Sequence, residues 1–160
     1  MKKIIKILLV CLVTFGLTAC SQENQDTTKT IKWNKENKLD NLISYQIESI
    51  GKPKQIIPDT INDTYTYYKP QKESNVLLDL IVNIKNLKST DLDMTKKLTA
   101  SFKIGDEEYL SALAIVSEDG TSLSQDGIIA GDSSRGVHFY AEVNPKKLDK
   151  QVNFTLPTTK

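Results

Sequence analysis

Apolar and polar residues alternate with period two along most of the chain after residue 41, which is the pattern of β-strands that bury one face. The clearest segment is 77–86, where Leu78, Leu80, Val82 and Ile84 all fall on one face. Turn-forming residues separate these segments, and no amphipathic helix of about ten residues follows the start of the chain. The predicted strands are 42–48, 64–68, 77–86, 98–104, 108–116, 137–143 and 152–156, and residues 128–130 form a short apolar piece between two turns.

Antiparallel strands with one apolar face each need a second layer to cover those faces. The pattern therefore predicts an all-β fold, most economically a β-sandwich, with a small barrel as the alternative. Between two predicted strands, Gly105-Asp106 indicates a two-residue hairpin turn, in the wrong residue order for type I′ but compatible with type II′. The residues expected to share one core, because each lies on the apolar face of its strand, are Leu80, Val82, Phe102, Phe139 and Phe154.

The first 19 residues have the layout of a secretory signal: lysines near the start, an apolar run over 7–17 and small residues at the end. The sequence Leu17-Thr18-Ala19-Cys20 resembles the lipobox of bacterial lipoproteins. That resemblance implies removal of residues 1–19 and attachment of diacylglycerol to Cys20, which makes the membrane an expected partner. An ordinary signal peptide and a retained membrane helix are the alternatives, although the apolar run is shorter than the ~20 residues of a spanning helix.

Removal of the signal would leave a polar stretch and one domain. Residues 20–40 hold few large apolar side chains and predict a flexible tether, and the folded domain is expected at 41–158. The signal carries three lysines, so the rest has 18 basic and 20 acidic side chains, a net charge of −2 that does not favour nucleic acid. Cys11 and Cys20 lie at or before the lipobox, so the domain has no disulfide. A single Arg beside many Lys, Asn and Ile residues indicates an AT-rich genome and, with the lipobox, a low-GC Gram-positive bacterium.

Several motifs follow one another in a recognisable order. Tyr67-Tyr68-Lys69-Pro70 precedes the apolar strand, which ends in Lys85-Asn86, and Gly131 precedes a strand with Phe139 at its centre. This order resembles the immunoglobulin-like, telokin-like lipoproteins of Gram-positive bacteria, over about residues 42–157. The resemblance implies an immunoglobulin-like antiparallel β-sandwich of about seven or eight strands on the outer face of the membrane. It implies no activity, because one such fold hosts many functions.

No set of side chains predicts catalysis or a metal site. His138, the only histidine, alternates with Val137 and Phe139, so we expect it to point to solvent as an ordinary surface residue. It has no second zinc ligand and no nucleophile in a recognisable setting. The acidic residues of the predicted loops do not match an EF-hand, and we interpret them as solvated turn carboxylates. The sequence therefore predicts no enzyme, no metal and no cofactor.

Tyrosine and arginine side chains are the candidates for partner binding. In a strand, Tyr65 and Tyr67 would share one face and Tyr68 the other, so at least one ring should be exposed. Tyr and Arg are enriched among residues that dominate binding energy. We take Tyr67, Tyr68 and Arg135 as possible contacts for a protein or peptide partner, with a core role for the tyrosines as the alternative.

The second face of the strand 77–86 also carries large apolar residues, Leu77 and Ile81. Either this strand is covered on both sides, or this face is a docking patch.

These observations predict a membrane-anchored extracytoplasmic lipoprotein of the cell surface that binds a protein or peptide partner without catalysis. One alternative is an immunity-type lipoprotein that sequesters a bacteriocin or another peptide. Another is an accessory subunit of a cell-envelope or transport machine. An enzyme would need a catalytic constellation that the sequence does not show.

Overall fold

The computed structural model describes residues 34–98 and 100–156, and this part of the chain is an antiparallel β-sandwich with one short α-helix. The all-β sandwich predicted from the alternation is therefore confirmed. In chain order the elements are β1 (Asn37–Leu39), β2 (Ile43–Gly51), β3 (Val76–Asn86), β4 (Leu92–Asp93), α1 (Met94–Lys97), β5 (Ser101–Ile104), β6 (Glu107–Leu110), β7 (Ala112–Val116), β8 (Leu123–Ser124), β9 (Ile128–Ile129), β10 (Ser134–Val143), a 3₁₀ turn (Pro145–Lys147) and β11 (Val152–Thr155).

The larger sheet has six strands in the order β1-β2-β3-β10-β7-β8. Its centre is the long pair β3 and β10, in which Leu80 lies opposite Phe139 and Val82 opposite Val137. Successive side chains of a strand point to opposite faces. The inner face of this sheet therefore carries the even-numbered residues of β3 and the odd-numbered residues of β10, and the outer face carries the others.

The smaller sheet has three strands in the order β11-β5-β6, and it covers the inner face of the larger one. Its hairpin joins Ile104 to Glu107 through Gly105 and Asp106. Gly105 has φ +60° and the next residue has a negative φ, which is the φ pattern of a type II′ turn. The hairpin and its turn type agree with the prediction.

The segment 108–116 is not one strand, and this prediction is wrong. β6 belongs to the smaller sheet and β7 to the larger one, and the chain crosses between the layers at Ser111. The backbone N–H and the hydroxyl of Ser111 both donate to the carbonyl oxygen of Ala100, at 2.9 and 3.0 Å. These bonds satisfy the polar groups of the chain where it leaves one ladder for the other.

The core lies between the two sheets. Phe102 and Phe139 are fully buried, and the half-buried Phe154 packs against both, with ring centroids 5.5 and 5.9 Å away. Leu80 and Val82 belong to the same cluster. The predicted shared core is confirmed for all five residues, because each strand turns its apolar face to the other sheet.

Two more predicted strands differ from the structure. Residues 64–68 form no strand, and Tyr68 makes only an isolated bridge with Ile56. The strand predicted at 98–104 begins only at Ser101, because α1 ends at Lys97 and Leu98 is still its C-cap residue. The Asp93 carboxylate caps α1 by accepting hydrogen bonds from the N–H groups of Thr95 and Lys96, at 3.1 and 3.3 Å.

The buried end of β3 explains why the strand stops at Asn86. The Asn86 amide donates to the carbonyl oxygens of Thr90, Ile129 and Ala130, and its side-chain oxygen accepts from the Lys88 N–H. One side chain thus ties the loop after β3 to the loop after β9.

The folded part of the chain begins earlier than the predicted boundary at residue 41. β1 lies within the stretch 20–40 assigned to the tether, and it pairs with β2, with Leu39 packed against the core. Asp40, at φ +50°, makes the turn between them. The signal, the lipobox with Cys20, the rest of the tether before residue 34 and the domain end after 156 lie outside the described residues. Within residues 34–98 and 100–156, no helix is long and apolar enough to cross a membrane.

Candidate functional site

The outer face of the larger sheet is covered by the long connection between β2 and β3, residues 52–75, which we call the cover segment. Its Ile56 is buried in a second apolar cluster with Leu77 and Tyr140 of the sheet. Backbone bonds between Ile56 and Tyr68, of 2.8 and 3.0 Å, close the segment into a loop. The central strands are therefore covered on both sides, and Leu77 is buried beneath the cover segment rather than part of an exposed docking patch.

The far end of the cover segment is held by one carboxylate. Glu142 of β10 accepts hydrogen bonds from the N–H groups of Gln71 and Lys72, at 2.7 and 3.1 Å, and from the Asn75 amide at 2.7 Å. These donors, the Gln71 N–H first, hold the pKa of Glu142 below its ordinary value. Lys54 closes the segment on itself, because its ammonium donates to two carbonyl oxygens at the other end of the same segment, at 3.0 and 2.9 Å.

Tyr68 fastens the cover segment to the sheet. Its ring stacks on Tyr140 with centroids 5.4 Å apart and an angle of 26°, and the Tyr140 hydroxyl contacts the Gln125 amide at 2.6 Å. Burial raises the pKa of both phenols. Of the two roles considered for Tyr68, this contact supports the structural one.

Tyr65 and Tyr67 have the opposite placement. Both rings are exposed on the cover segment, Tyr67 by 48 %, and their centroids are 6.2 Å apart. We call these two neighbouring exposed rings the aromatic patch. Ile61 of the same segment is also exposed.

Arg135 is not part of this region. It lies at the start of β10 opposite Ile84, whereas Tyr140, which stacks on Tyr68, lies five residues further along and opposite Asp79. At about 3.4 Å per residue this separates the two positions by roughly 17 Å. Arg135 instead donates to Glu118 at 3.2 Å. The structure does not bring the predicted contacts Tyr68 and Arg135 together.

His138 is buried, and the expectation that it points to solvent is wrong. It does lie on the face opposite Val137 and Phe139, but the cover segment lies over that face and leaves the residue only 6 % exposed. Its Nδ1 is 3.0 and 3.2 Å from the two carboxylate oxygens of Asp79, which is also buried. Because a carboxylate only accepts hydrogen bonds, Nδ1 carries the hydrogen in this pair.

A cleft of about 370 Å³ opens between the cover segment and the sheet, and the His138–Asp79 pair is at its floor. Nε2 of His138 has no hydrogen-bond partner among the described residues, and none of their buried side-chain nitrogen or oxygen atoms lacks one. Nε2 therefore reaches solvent in the cleft. The cleft is lined by Ser49, Gly51, Pro53, Gln55, Ile56, Ile57, Pro58, Asp59, Asp79, Ile81 and His138.

The cleft can bind, but its geometry does not form a nucleophilic triad. Ser49 lies opposite Ile81, and Ile81 lies opposite His138, so a whole strand separates the serine from the histidine. At about 4.8 Å between neighbouring strands, their backbones lie roughly 10 Å apart, and the hydrogen bonds of His138 go to Asp79, not to Ser49. Within the described residues, no group of three or more His, Cys, Asp or Glu side chains could hold a metal ion.

Sequence reasoning missed Asp79 and mistook the surroundings of His138. A signal for Asp79 was present, since it lies between Leu77 and Ile81, two large apolar residues on the same face of the strand. A carboxylate buried in such a face needs a partner. The partner, His138, is distant in sequence, and only the pairing of β3 with β10 brings the two together.

Comparison with known proteins identifies a fold and no family. No protein-family model and no curated protein matches the chain. The structure is similar to an uncharacterized β-sandwich protein of Clostridium difficile, with 19% identity, 81% of this chain and 86% of that chain covered, and a TM-score of 0.66. It is more distantly similar to a conserved hypothetical protein of Bacillus anthracis (11% identity, coverage 78% and 87%, TM-score 0.49). A candidate lipoprotein of Bacillus subtilis is also similar (12% identity, coverage 79% and 33%, TM-score 0.40).

The first of these likenesses supports the β-sandwich and says nothing about activity. At this level of identity, the function has to be argued from the residues of the outer face.

Proposed function

We propose that the protein is a lipid-anchored, extracytoplasmic binding module of a Gram-positive bacterium, and that its outer face recognises a protein or peptide partner without catalysis. The observation that carries the proposal is the aromatic patch. Exposed tyrosine rings on a loop that is anchored to a rigid sheet are typical of recognition surfaces, because little conformational entropy is lost when a partner orders them.

The anchoring of the cover segment supports this role. Glu142 and the Tyr68–Tyr140 stack hold the segment on the sheet, and Lys54 ties the two ends of the segment together, so the patch is presented by a preorganised loop. The cleft beneath the same cover segment adds a recessed site with one accessible ring nitrogen. Exposed aromatic rings provide contact area, and a recessed polar pocket provides specificity.

The membrane anchor is proposed from the lipobox. Two acyl chains on Cys20 would give stable attachment, whereas a single chain would bind the membrane only weakly. We expect Cys20→Ser to move the protein from the membrane fraction to the soluble fraction or the medium. Intact mass of the wild-type protein should show a mature chain that begins at residue 20. Continued membrane attachment of the variant, or another N-terminus, would contradict the anchor.

The recognition surface is tested by site-specific photo-crosslinking in living cells. A photoreactive phenylalanine analogue at position 67 should form a discrete adduct with one envelope or secreted protein. The matched control is position 110, since Leu110 is a large apolar residue that is 78 % exposed on β6, in the other sheet. Tyr65→Ala should reduce the adduct at position 67. Equal labelling from 67 and 110 would refute the proposed surface.

The identity of the adduct separates the two kinds of partner considered from the sequence. A secreted peptide indicates interception at the cell surface, whereas a membrane or wall protein indicates an accessory role in an envelope machine.

A further inference from the structure

We propose that the cleft above the His138–Asp79 pair receives a primary ammonium group on an apolar stem, which in a protein partner is a lysine side chain. The inference deepens the proposed function and rests on it, since it specifies the chemistry that the partner presents to the outer face. Three properties of the cleft lead to this ligand class: its hydrogen-bonding, its charge and its walls.

The hydrogen-bonding property is set by Asp79. Its carboxylate accepts from Nδ1 of His138 through both oxygens, at 3.0 and 3.2 Å, and so places the hydrogen of the neutral ring on Nδ1. Nε2 is then a bare acceptor, and it is the ring nitrogen that reaches the cleft. A ligand that satisfies this nitrogen has to donate a hydrogen bond, which an ammonium does and a carboxylate does not.

The charge of the cleft favours a cation. The ionisable side chains that line it are Asp59, Asp79 and His138, with no lysine or arginine among the lining residues. Lys54 of the cover segment points its ammonium at the carbonyl oxygens of Glu73 and Asn75 instead. With the ring neutral, the cleft has two negative charges, one at the rim and one at the floor. A hydrogen bond from an ammonium in such a site is charge-assisted.

The walls suit an aliphatic stem. The apolar lining residues include Ile56, Ile57 and Pro58 of the cover segment and Ile81 of β3. Lysine packs its methylene groups on apolar surface while its charged head finds a polar partner. A lysine that enters between the isoleucines would bury its stem and bring its ammonium to Nε2 at the floor.

The experiment uses the only histidine of the chain as a reporter. The full-length protein in detergent is labelled with 15N-histidine, so every histidine signal belongs to His138. A bare ring nitrogen and a protonated one have widely separated 15N shifts, and the free protein should show Nδ1 protonated and Nε2 bare. The opposite tautomer would overturn the proposal before any ligand is added.

Three matched probes then test the ligand class: the Nα-acetyl methylamides of lysine, norleucine and glutamate. The lysine probe should shift the Nε2 signal and bind at least about tenfold more tightly than norleucine, a difference worth about 1.4 kcal/mol. Norleucine keeps the apolar stem without the ammonium, so equal affinity of the two would refute the role of charge. Tighter binding of glutamate would show an anion site and would also overturn the proposal.

Two variants connect the binding to the named residues. Asp79→Asn donates to Nδ1 and should invert the tautomer, so that Nε2 carries the hydrogen and lysine-probe affinity falls about tenfold or more. Asp59→Asn, at the exposed rim, should weaken the same probe several-fold and leave the melting temperature unchanged. Asp149→Asn is the control, because it removes an exposed charge near β11, away from the cleft.

If Asp79→Asn unfolds, Asp59→Asn decides the question, and unchanged lysine affinity in that variant refutes the cleft as an ammonium site. The outcome is separable from the proposed function. Loss of the cleft proposal with a persisting crosslink at position 67 leaves the binding module intact, whereas loss of the crosslink removes the proposed function itself.

Discussion

The contribution of the shared core can be measured by removing the ring of Phe139. This residue is 1 % exposed and packs between the sheets against Phe154, at 5.9 Å. Replacement of a core Phe by Ala generally costs about 3–5 kcal/mol, from the lost burial and from the cavity left behind. A domain has only about 5–15 kcal/mol in total.

The structure places Phe139→Ala in the lower half of that range. A cavity of about 380 Å³ opens to solvent beside the ring, at the crossing between β6 and β7, and it is also lined by Leu98, Leu110 and Leu113. The space left by the Phe139 ring would join this cavity, so water would fill part of that space. The cost of leaving an empty cavity is therefore smaller. We expect a loss of about 3–4 kcal/mol and a fall in melting temperature of roughly 10–20 °C.

Phe102 provides the internal comparison. It is 0 % exposed, contacts Phe154 at 5.5 Å and does not line the cavity beside Phe139. Phe102→Ala should therefore cost more than Phe139→Ala, because its space stays enclosed. Thermal and urea unfolding of both variants, with Leu110→Ala as an exposed control, measure the difference. If Phe139→Ala melts like the Leu110→Ala control, or Phe102→Ala costs less than Phe139→Ala, the core and its packing are not as described.

Two further predictions concern contacts that hold the loops. Gly131→Ala should lower stability by about 1–3 kcal/mol, because a Cβ there would meet the backbone oxygen of Ser89 at 2.3 Å. The control is Gly51→Ala, whose Cβ would make only an ordinary contact at 3.6 Å. Equal melting temperatures of the two variants would contradict the close approach at Gly131. Hydrogen bonds, first from the Gln71 N–H, lower the pKa of the Glu142 carboxylate in the folded protein. The ionised carboxylate therefore stabilises the fold fully above its unfolded pKa of 4.5, and this stabilisation disappears as the pH falls through the folded pKa. Glu142→Gln should melt below the wild type at pH of about 6–7, and the gap should close at acid pH; a gap that is constant down to about pH 3 would contradict this linkage.

The sequence by itself determined where the long strands β2, β3 and β10 lie and which residues form the core. Alternation with period two marks which side chains share a face, whatever the strand pairs with, and so Leu80, Phe102 and Phe139 could be assigned to the core before any pairing was known. The type II′ hairpin at Gly105-Asp106 was predictable for a similar reason, since turn conformation depends on the local residues.

The tertiary structure alone decided what lies against each face. Alternation correctly placed His138 on the face of β10 that Phe139 does not share. Whether that face meets water or protein depends on the path of the cover segment, and its polar, turn-rich sequence has no period that indicates where it packs. The break at Ser111 was hidden for a related reason, because crossing from one sheet to the other leaves the local pattern of the strand unchanged. The contact between Asp79 and His138 required the register of β3 against β10, and that register follows from how all the strands pack together.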